Sequence, residues 1–375
     1  MNAVTRLLRD LVAIPSVNPS FLPDDANSPT EEAVADHLID IAKKHGLDIS
    51  RQPVLPGRRN LLVRLKPRGK VRQRILLAPH MDVVPADDSQ FKPRIRNGRL
   101  HGRGACDTKG CIATYFHALC QLSGQKQRPQ NTEIIFVGLI DEEHLQSGSR
   151  AYAKKGPTAD LAIVGEPTRL QVVTAHKGDL WWQLSMTGRA AHGATPHLGT
   201  SAIHRMTRVV DVLLTDYAAS LKKSGHPLLG SPTINIGVIR GGSQPNIVPD
   251  SCTIDIDRRT IPGETEESAR REILAALRPH KLKPDFLDLR GVPCDPLETD
   301  PTLPLVQQFT RTARRRKTIG VDFFTDASPI SSAGTPSILY GPGDIAQAHT
   351  TDEWIDLDQL DQATHTLKRF LENLI

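Results

Sequence analysis

The sequence predicts an α/β chain in which a mostly parallel central sheet carries an inserted ferredoxin-like α+β unit of order βαββαβ. Three observations predict it. Short apolar runs recur at residues 74–78 (RILLA), 133–140 (EIIFVGLI), 161–164 (LAIV) and 337–340 (SILY), with helical patterns between them, as strands buried on both faces require. Residues 179–289 break that rhythm and read strand, helix, strand, strand, helix, strand. At 375 residues the chain also exceeds what one hydrophobic core serves. The expected domains are 1–178 and 291–375 for the sheet, and 179–290 for the insert.

Taken in order, Val4, Leu7, Leu8 and Leu11 share one helical face, while Arg6, Arg9 and Asp10 interrupt what would otherwise resemble the apolar core of a signal peptide. Ser28, Pro29 and Glu31 form a capping-box signature before Val34, Leu38, Ile41 and Ala42, and Gly46 closes that helix. Within the insert the expected elements are strand 180–188, helix 201–221, strands 233–242 and 252–260, helix 266–277 and strand 283–289. The proline-bearing stretch 292–304 returns the chain to the first domain.

Composition excludes several classes. No run of about 18 apolar residues is available for a membrane span. The net charge of +5 arises from 47 basic and 42 acidic residues, and the one dense basic patch, Arg314 to Lys317, reads as a solvated helix end, so nucleic acid is not implied. Five cysteines at 106, 111, 120, 252 and 294 give no disulfide framework and fit a reducing, cytoplasmic compartment.

The chemistry falls at the strand ends. His80 and Asp82 follow the first apolar run, Asp141, Glu142 and Glu143 the second, and Glu166 the third, while His349 lies in a loop after the fourth. In open α/β sheets ligands bind beyond the carboxyl ends of strands. With Asp107 from GRGACDTKG added, the two histidines and three of these carboxylates make a donor set suited to two zinc-like ions. Alternation along a strand lets Asp82 hold the second ring nitrogen of His80, and adjacent Glu142 and Glu143 can divide proton transfer and coordination between them. Each piece alone has a plainer reading: HxD or EE as a cap or solvated pair, DEEH as an acidic helix start, GPG as a turn. Their conjunction in five segments carries the metal reading. A structural zinc site is disfavoured, because such sites are closed by cysteine-rich sets, and Cys106 and Cys111 have no matching pair elsewhere.

These motifs, from LVAIPSVNPS at residues 11–20 through AHTTDEW at 348–354, resemble the M20 metallopeptidase and deacylase group, nearest its acetylornithine deacetylase and succinyl-diaminopimelate desuccinylase members. The resemblance implies a zinc-peptidase-like catalytic domain with a lid and dimerisation insert, a cytoplasmic homodimer, two zinc ions with cobalt as an alternative, and a role in amino-acid biosynthesis. It implies that His80 and Glu166 hold one ion, Glu143 and His349 the other, and Asp107 both. It makes Glu142 the general base and Asp82 the residue that orients His80. GRAAHGATPHLGTSA at 188–202 is similar to the group's lid motif, which makes His192 the histidine that reaches across the dimer; Gly193 and Ala194 stand where serines are usual, and Ser201 where asparagine is. GGSQPNIVPDSCTIDIDRRTIPGE at 241–264 implies that Asn246 and Arg259 bind the substrate carboxylate, Arg258 being the neighbouring alternative. His197 and His204 match no motif.

The expected reaction is hydrolysis of a linear amide, freeing an amino acid from its acyl group, with an N-acetyl amino acid favoured by TDA at 325–327 and GPGDIAQAHTTDE at 341–353. Desuccinylase and di- or carboxypeptidase activity are the rivals within the group. A non-catalytic binding protein on the same fold is the alternative from another class; the presence of Glu142 and all five candidate ligands argues against it. No nucleic-acid or membrane partner is expected.

Overall fold

The computed structural model describes residues 1–23, 30–125 and 128–375. The chain forms two compact units. One comprises Met1–Thr174, Thr299–Ile319 and Thr325–Ile375, the other Ala175–Glu298 and Gly320–Phe324. Residues 291–298 group with the second unit because Leu297 pairs with His176 and Glu298 with Ala175, and Gly320–Phe324 because Lys177 bonds Asp322 at 2.9 Å.

The first unit is built on a mixed sheet with a parallel centre. Its four central strands lie in the order Thr132–Gly138, Gln73–Pro79, Leu161–Gly165, Ser337–Tyr340, all parallel. These are the four apolar runs of the sequence. Every residue of Thr132–Gly138, Leu161–Gly165 and Ser337–Tyr340 is buried, which explains why they show no polar alternation. An antiparallel hairpin, Asp48–Leu55 with Arg58–Leu65, extends one side through pairing of the latter with Thr132–Gly138.

Helices cover this sheet. Lys109–Ser123 is buried around nearly its whole circumference, through Cys111, Ile112, Tyr115, Phe116, Leu119 and Leu122 among others. Ala3–Val12 turns Val4, Leu7, Leu8 and Leu11 inward, each burial worth about 2 kcal/mol, and leaves Arg6 exposed. Ser28 and Pro29 lie outside the described residues. The helix they were expected to open is Glu31–Lys44, capped by the Thr30 side chain, and Glu31 is turned inward to Arg58 instead of serving the cap. No described helix is long and apolar enough to cross a membrane.

The second unit has the βαββαβ order. Gly178–Thr187, Thr233–Gly241, Ser251–Thr260 and Asp285–Asp288 form an antiparallel sheet in which Ser251–Thr260 and Gly178–Thr187 are central. Ala202–Val212, capped by Ser201, continues through a π-turn at Leu213–Tyr217 to Leu221, and Glu266–Leu277 is capped by Thr265. Strict alternation of buried and half-buried residues along Ser251–Thr260 buries Cys252, Ile254, Ile256 and Arg258 against these helices.

Candidate metal centre

His80 follows directly on the strand Gln73–Pro79 and is 2% exposed. Its Nε2 lies 3.1 Å from Asp107 Oδ1. Its Nδ1 lies 3.0 Å from the Asp82 carbonyl and 3.6 Å from Asp82 Oδ1, so the backbone oxygen of Asp82 is nearer to the ring than its carboxylate. That carboxylate is occupied elsewhere: it accepts the amide hydrogens of Glu142 and Glu143, each at 3.1 Å, and the Asn18 side-chain amide at 2.8 Å. Burial opposes the Asp82 charge, yet the nearby His80 ring and the bonds from Asn18 and Glu143 hold it below the usual carboxylate range.

Asp107 directs one oxygen to each histidine. Oδ1 faces His80 and Oδ2 lies 3.5 Å from His349 Nε2, and these contacts hold its carboxyl low despite burial. His349 Nε2 also lies 3.0 Å from Glu143 Oε2, and its two carboxylate neighbours raise its pKa to about 10. Donor atoms of His80, Asp107 and Glu143 all fall within 4.8 Å of one another. Glu166 is 4% exposed; burial, then repulsion from Asp107, pushes it well above its ordinary range, and its Oε1 has no hydrogen-bond partner. Burial does the same to Glu142, with Glu166, Asp326 and Glu143 adding repulsion. Buried carboxylates that repel one another, an orphaned oxygen and imidazoles pressed into the role of counter-ions describe a set that fits divalent cations.

The loop that presents Asp107 depends on a residue that motif reading passed over. Glu353, 1% exposed, accepts the amide hydrogens of Gly104 (2.9 Å), Cys106 (2.8 Å) and Asp107 (3.0 Å), and the Arg103 guanidinium at 2.8 Å. Gly104 makes the turn possible, since it adopts φ +80 and a Cβ there would meet the Lys109 side chain at 2.9 Å. The signal was present in the DEW of the last motif. Asp141, Asn18 and Arg58 form a further layer: Asn18 bonds both Asp82 and Asp141, and Arg58 bonds Asp141 and Glu31. Asp326, from the TDA segment, bonds Ser149 through Oδ1, and burial raises it to about 7.

In the second unit His192 is exposed, and its Nδ1 accepts the amide hydrogen of Ala194 at 3.1 Å. Its segment is joined to that of Asn246 by the Gly193 amide, which donates to the Asn246 carbonyl at 2.7 Å. Arg259 is already engaged: Nε and Nη2 reach the two oxygens of Asp257 at 2.8 and 2.9 Å, and Nε lies 3.6 Å from Asp179. Arg258, on the opposite face of the strand, is fully buried and bonded to Tyr217 and Glu264.

The model of peptidase family M20/M25/M40 matches residues 76–373. The chain belongs to this family. As a member of the M20 group it is a hydrolase, similar over most of its length to curated deacetylases. It is 30% identical to the acetylornithine deacetylase of Proteus mirabilis, over 98% of this chain and 95% of that protein. Among solved structures a tripeptidase of Staphylococcus aureus superposes with a TM-score of 0.79 at 21% identity, covering 98% of this chain and 97% of that one. A dinuclear metal-binding M20 peptidase of Bacillus subtilis superposes at 0.72 with 12% identity, covering 98% and 96%.

Proposed function

We propose that this M20 hydrolase uses two divalent ions, zinc in the first instance and cobalt as a substitute, to cleave the amide of an N-acyl amino acid, with an N-acetyl amino acid such as N-acetylornithine as its substrate. The observation that carries the two-ion reading is Asp107, whose oxygens diverge toward His80 and His349. His80 and Glu166 would hold one ion, Glu143 and His349 the other, and Asp107 would serve both. When bound, such ions acidify water and polarise the scissile carbonyl.

The chain's own groups supply the rest. Glu142, half-buried beside this set, takes the proton of the attacking water and returns it to the leaving amine. Asp82 holds the Glu142–Glu143 turn through two amide hydrogens, which fixes where both carboxylates point. With Nδ1 of His192 accepting from Ala194, the neutral ring carries its proton on Nε2, a donor suited to the developing oxyanion of a partner subunit's site. Asn246 and Arg259 bind the substrate carboxylate, for which Arg259 exchanges its Asp257 partner. The working form on this reading is a cytoplasmic homodimer in amino-acid biosynthesis.

The acyl group is supported by similarity to acetylornithine deacetylases. Desuccinylase and dipeptidase chemistry differ only in what surrounds the scissile bond. A panel of N-acetyl, N-succinyl and dipeptide substrates, assayed with added zinc or cobalt, separates them. A kcat/KM for N-succinyl substrates or dipeptides above that for every N-acetyl amino acid overturns the substrate assignment.

A further inference from the structure

A cavity of about 530 Å³ lies in the first unit and shares no lining residue with the metal-binding group. Its lining includes Arg314, Arg315, Arg369, His365, Leu170 and Tyr340. Arg314 and Arg369 are exposed and Arg315 is half-buried, and among the described residues no carboxylate oxygen lies within 4.0 Å of any of the three guanidinium groups. A concentration of unneutralised guanidinium around a concave space is a self-repelling arrangement that an anion relieves.

The plainer role for these arginines is to complement helix C-termini. The backbone already does that work. After Pro304–Thr312 the amide hydrogens of Ala313, Arg314 and Arg315 go to the carbonyls of Phe309, Arg311 and Thr310. After Leu357–Glu372 the amides of Asn373 and Leu374 go to Phe370 and Leu371. Of the guanidinium groups, Arg315 donates through Nε to the Leu170 carbonyl, which leaves its terminal nitrogens for a ligand.

Backbone conformation supplies a second observation. Eight non-glycine residues occupy the left-handed region among the described residues. Two of them, Arg314 (φ 55) and Leu170 (φ 59), line this cavity, and Arg169 (φ 53) adjoins Leu170. Asp141 and His349, at the metal centre, are two others. Glycine would occupy the Arg314 position at lower cost after a helix end, so an arginine there runs against local preference.

We propose that this cavity is a binding site for a small polyanion bearing at least two phosphate groups, clamped by Arg314, Arg315 and Arg369. Its volume is that of a small-molecule site, and paired guanidinium groups match the oxygens of successive phosphates. Free pyrophosphate and a nucleoside diphosphate both offer that chemistry.

The test is calorimetric titration of pyrophosphate, and separately of ADP, into the metal-loaded protein and into Arg314→Gly and Arg369→Gln variants. Any metal drawn off by phosphate is drawn from all three proteins alike, so the difference among them reports the cavity. The expected result is saturable binding to the parent that weakens about tenfold or more in each variant. Arg314→Gly, which removes a left-handed arginine, unfolds at a temperature no lower than the parent, separating lost binding from lost fold. Tighter binding of ADP identifies a nucleotide as the occupant, and equal affinity identifies the phosphate pair alone. Absence of saturable binding, or equal affinities in parent and variants, overturns the proposal.

Discussion

The amide of Glu143 donates to Asp82 Oδ2 at 3.1 Å, joining two residues 61 positions apart. Asp82 Oδ1 receives the amide of Glu142 at the same distance. One buried carboxylate therefore sets the turn that aims the Glu142 and Glu143 side chains, while its backbone oxygen faces Nδ1 of His80. Asp82→Asn replaces one acceptor with an NH2 group facing an N–H or the Asn18 amide. Metal affinity and kcat/KM are expected to fall about 10–100-fold with the fold intact. Unchanged zinc affinity by competition with a chromogenic chelator would count against this role.

Among the described residues the Glu142 side chain has no hydrogen-bond partner that its amide analogue would forfeit, so Glu142→Gln separates proton transfer from architecture. The variant is expected to bind zinc as the parent does while kcat drops about 10²–10⁴-fold, the range of a general base. The measurement is steady-state turnover beside metal content by elemental analysis. Retained activity removes Glu142 from the mechanism.

Glu353 collects three amide hydrogens and the Arg103 guanidinium, and Arg103 is 4% exposed. Glu353→Gln leaves that cation buried without its counter-ion, a change of about 3–5 kcal/mol. Urea unfolding should show the loss as a lower midpoint with little change in slope. Because the same carboxylate holds the Asp107 amide, zinc affinity falls as well. A variant as stable as the parent would mean that the loop is held by other contacts.

Mixed dimers examine His192. If His192 serves the partner's site, His192→Ala and Glu142→Gln chains, each nearly inactive alone, form heterodimers with one intact composite site. About a quarter of parental activity is expected on statistical mixing, half of the dimers carrying half of the sites. Stable mixed dimers that stay inactive would place His192 outside the chemistry of the partner.

The sequence made the parallel centre of the sheet legible because strands buried on both faces are written as uninterrupted apolar runs. The hairpin Asp48–Leu65 was not read, since Asp48–Leu55 alternates exposed and half-buried residues and carries Arg51 and Gln52 among them. The βαββαβ order was legible because turns and helix caps separate its elements cleanly. At the candidate metal centre the residues bearing donors stood out by type and strand-end position. Those that hold them did not: Asn18, Arg58 and Glu353 act through hydrogen bonds to residues tens to hundreds of positions away, which no local spacing records. The pairing of Arg259 with Asp257 was available from strand alternation, two residues apart on one face.

His176 gives the second unit a pH dependence of defined sign. It is fully buried, its Nδ1 donates to the Lys177 carbonyl at 2.8 Å, and its Nε2 has no partner; burial lowers its pKa to about 4. Between about pH 4 and 6.5 the unfolded chain binds a proton there that the native state does not, so stability rises with pH across that window and is level above it. The full span is about 3 kcal/mol. Asp179, raised by burial to about 6, runs the other way over part of the same range, because its native state holds the proton more readily. The difference between parent and His176→Gln isolates the histidine. Urea unfolding at pH 4.5 and pH 7.5 should show the parent losing more stability than the variant on acidification, and equal losses would mean that His176 titrates normally in the folded protein.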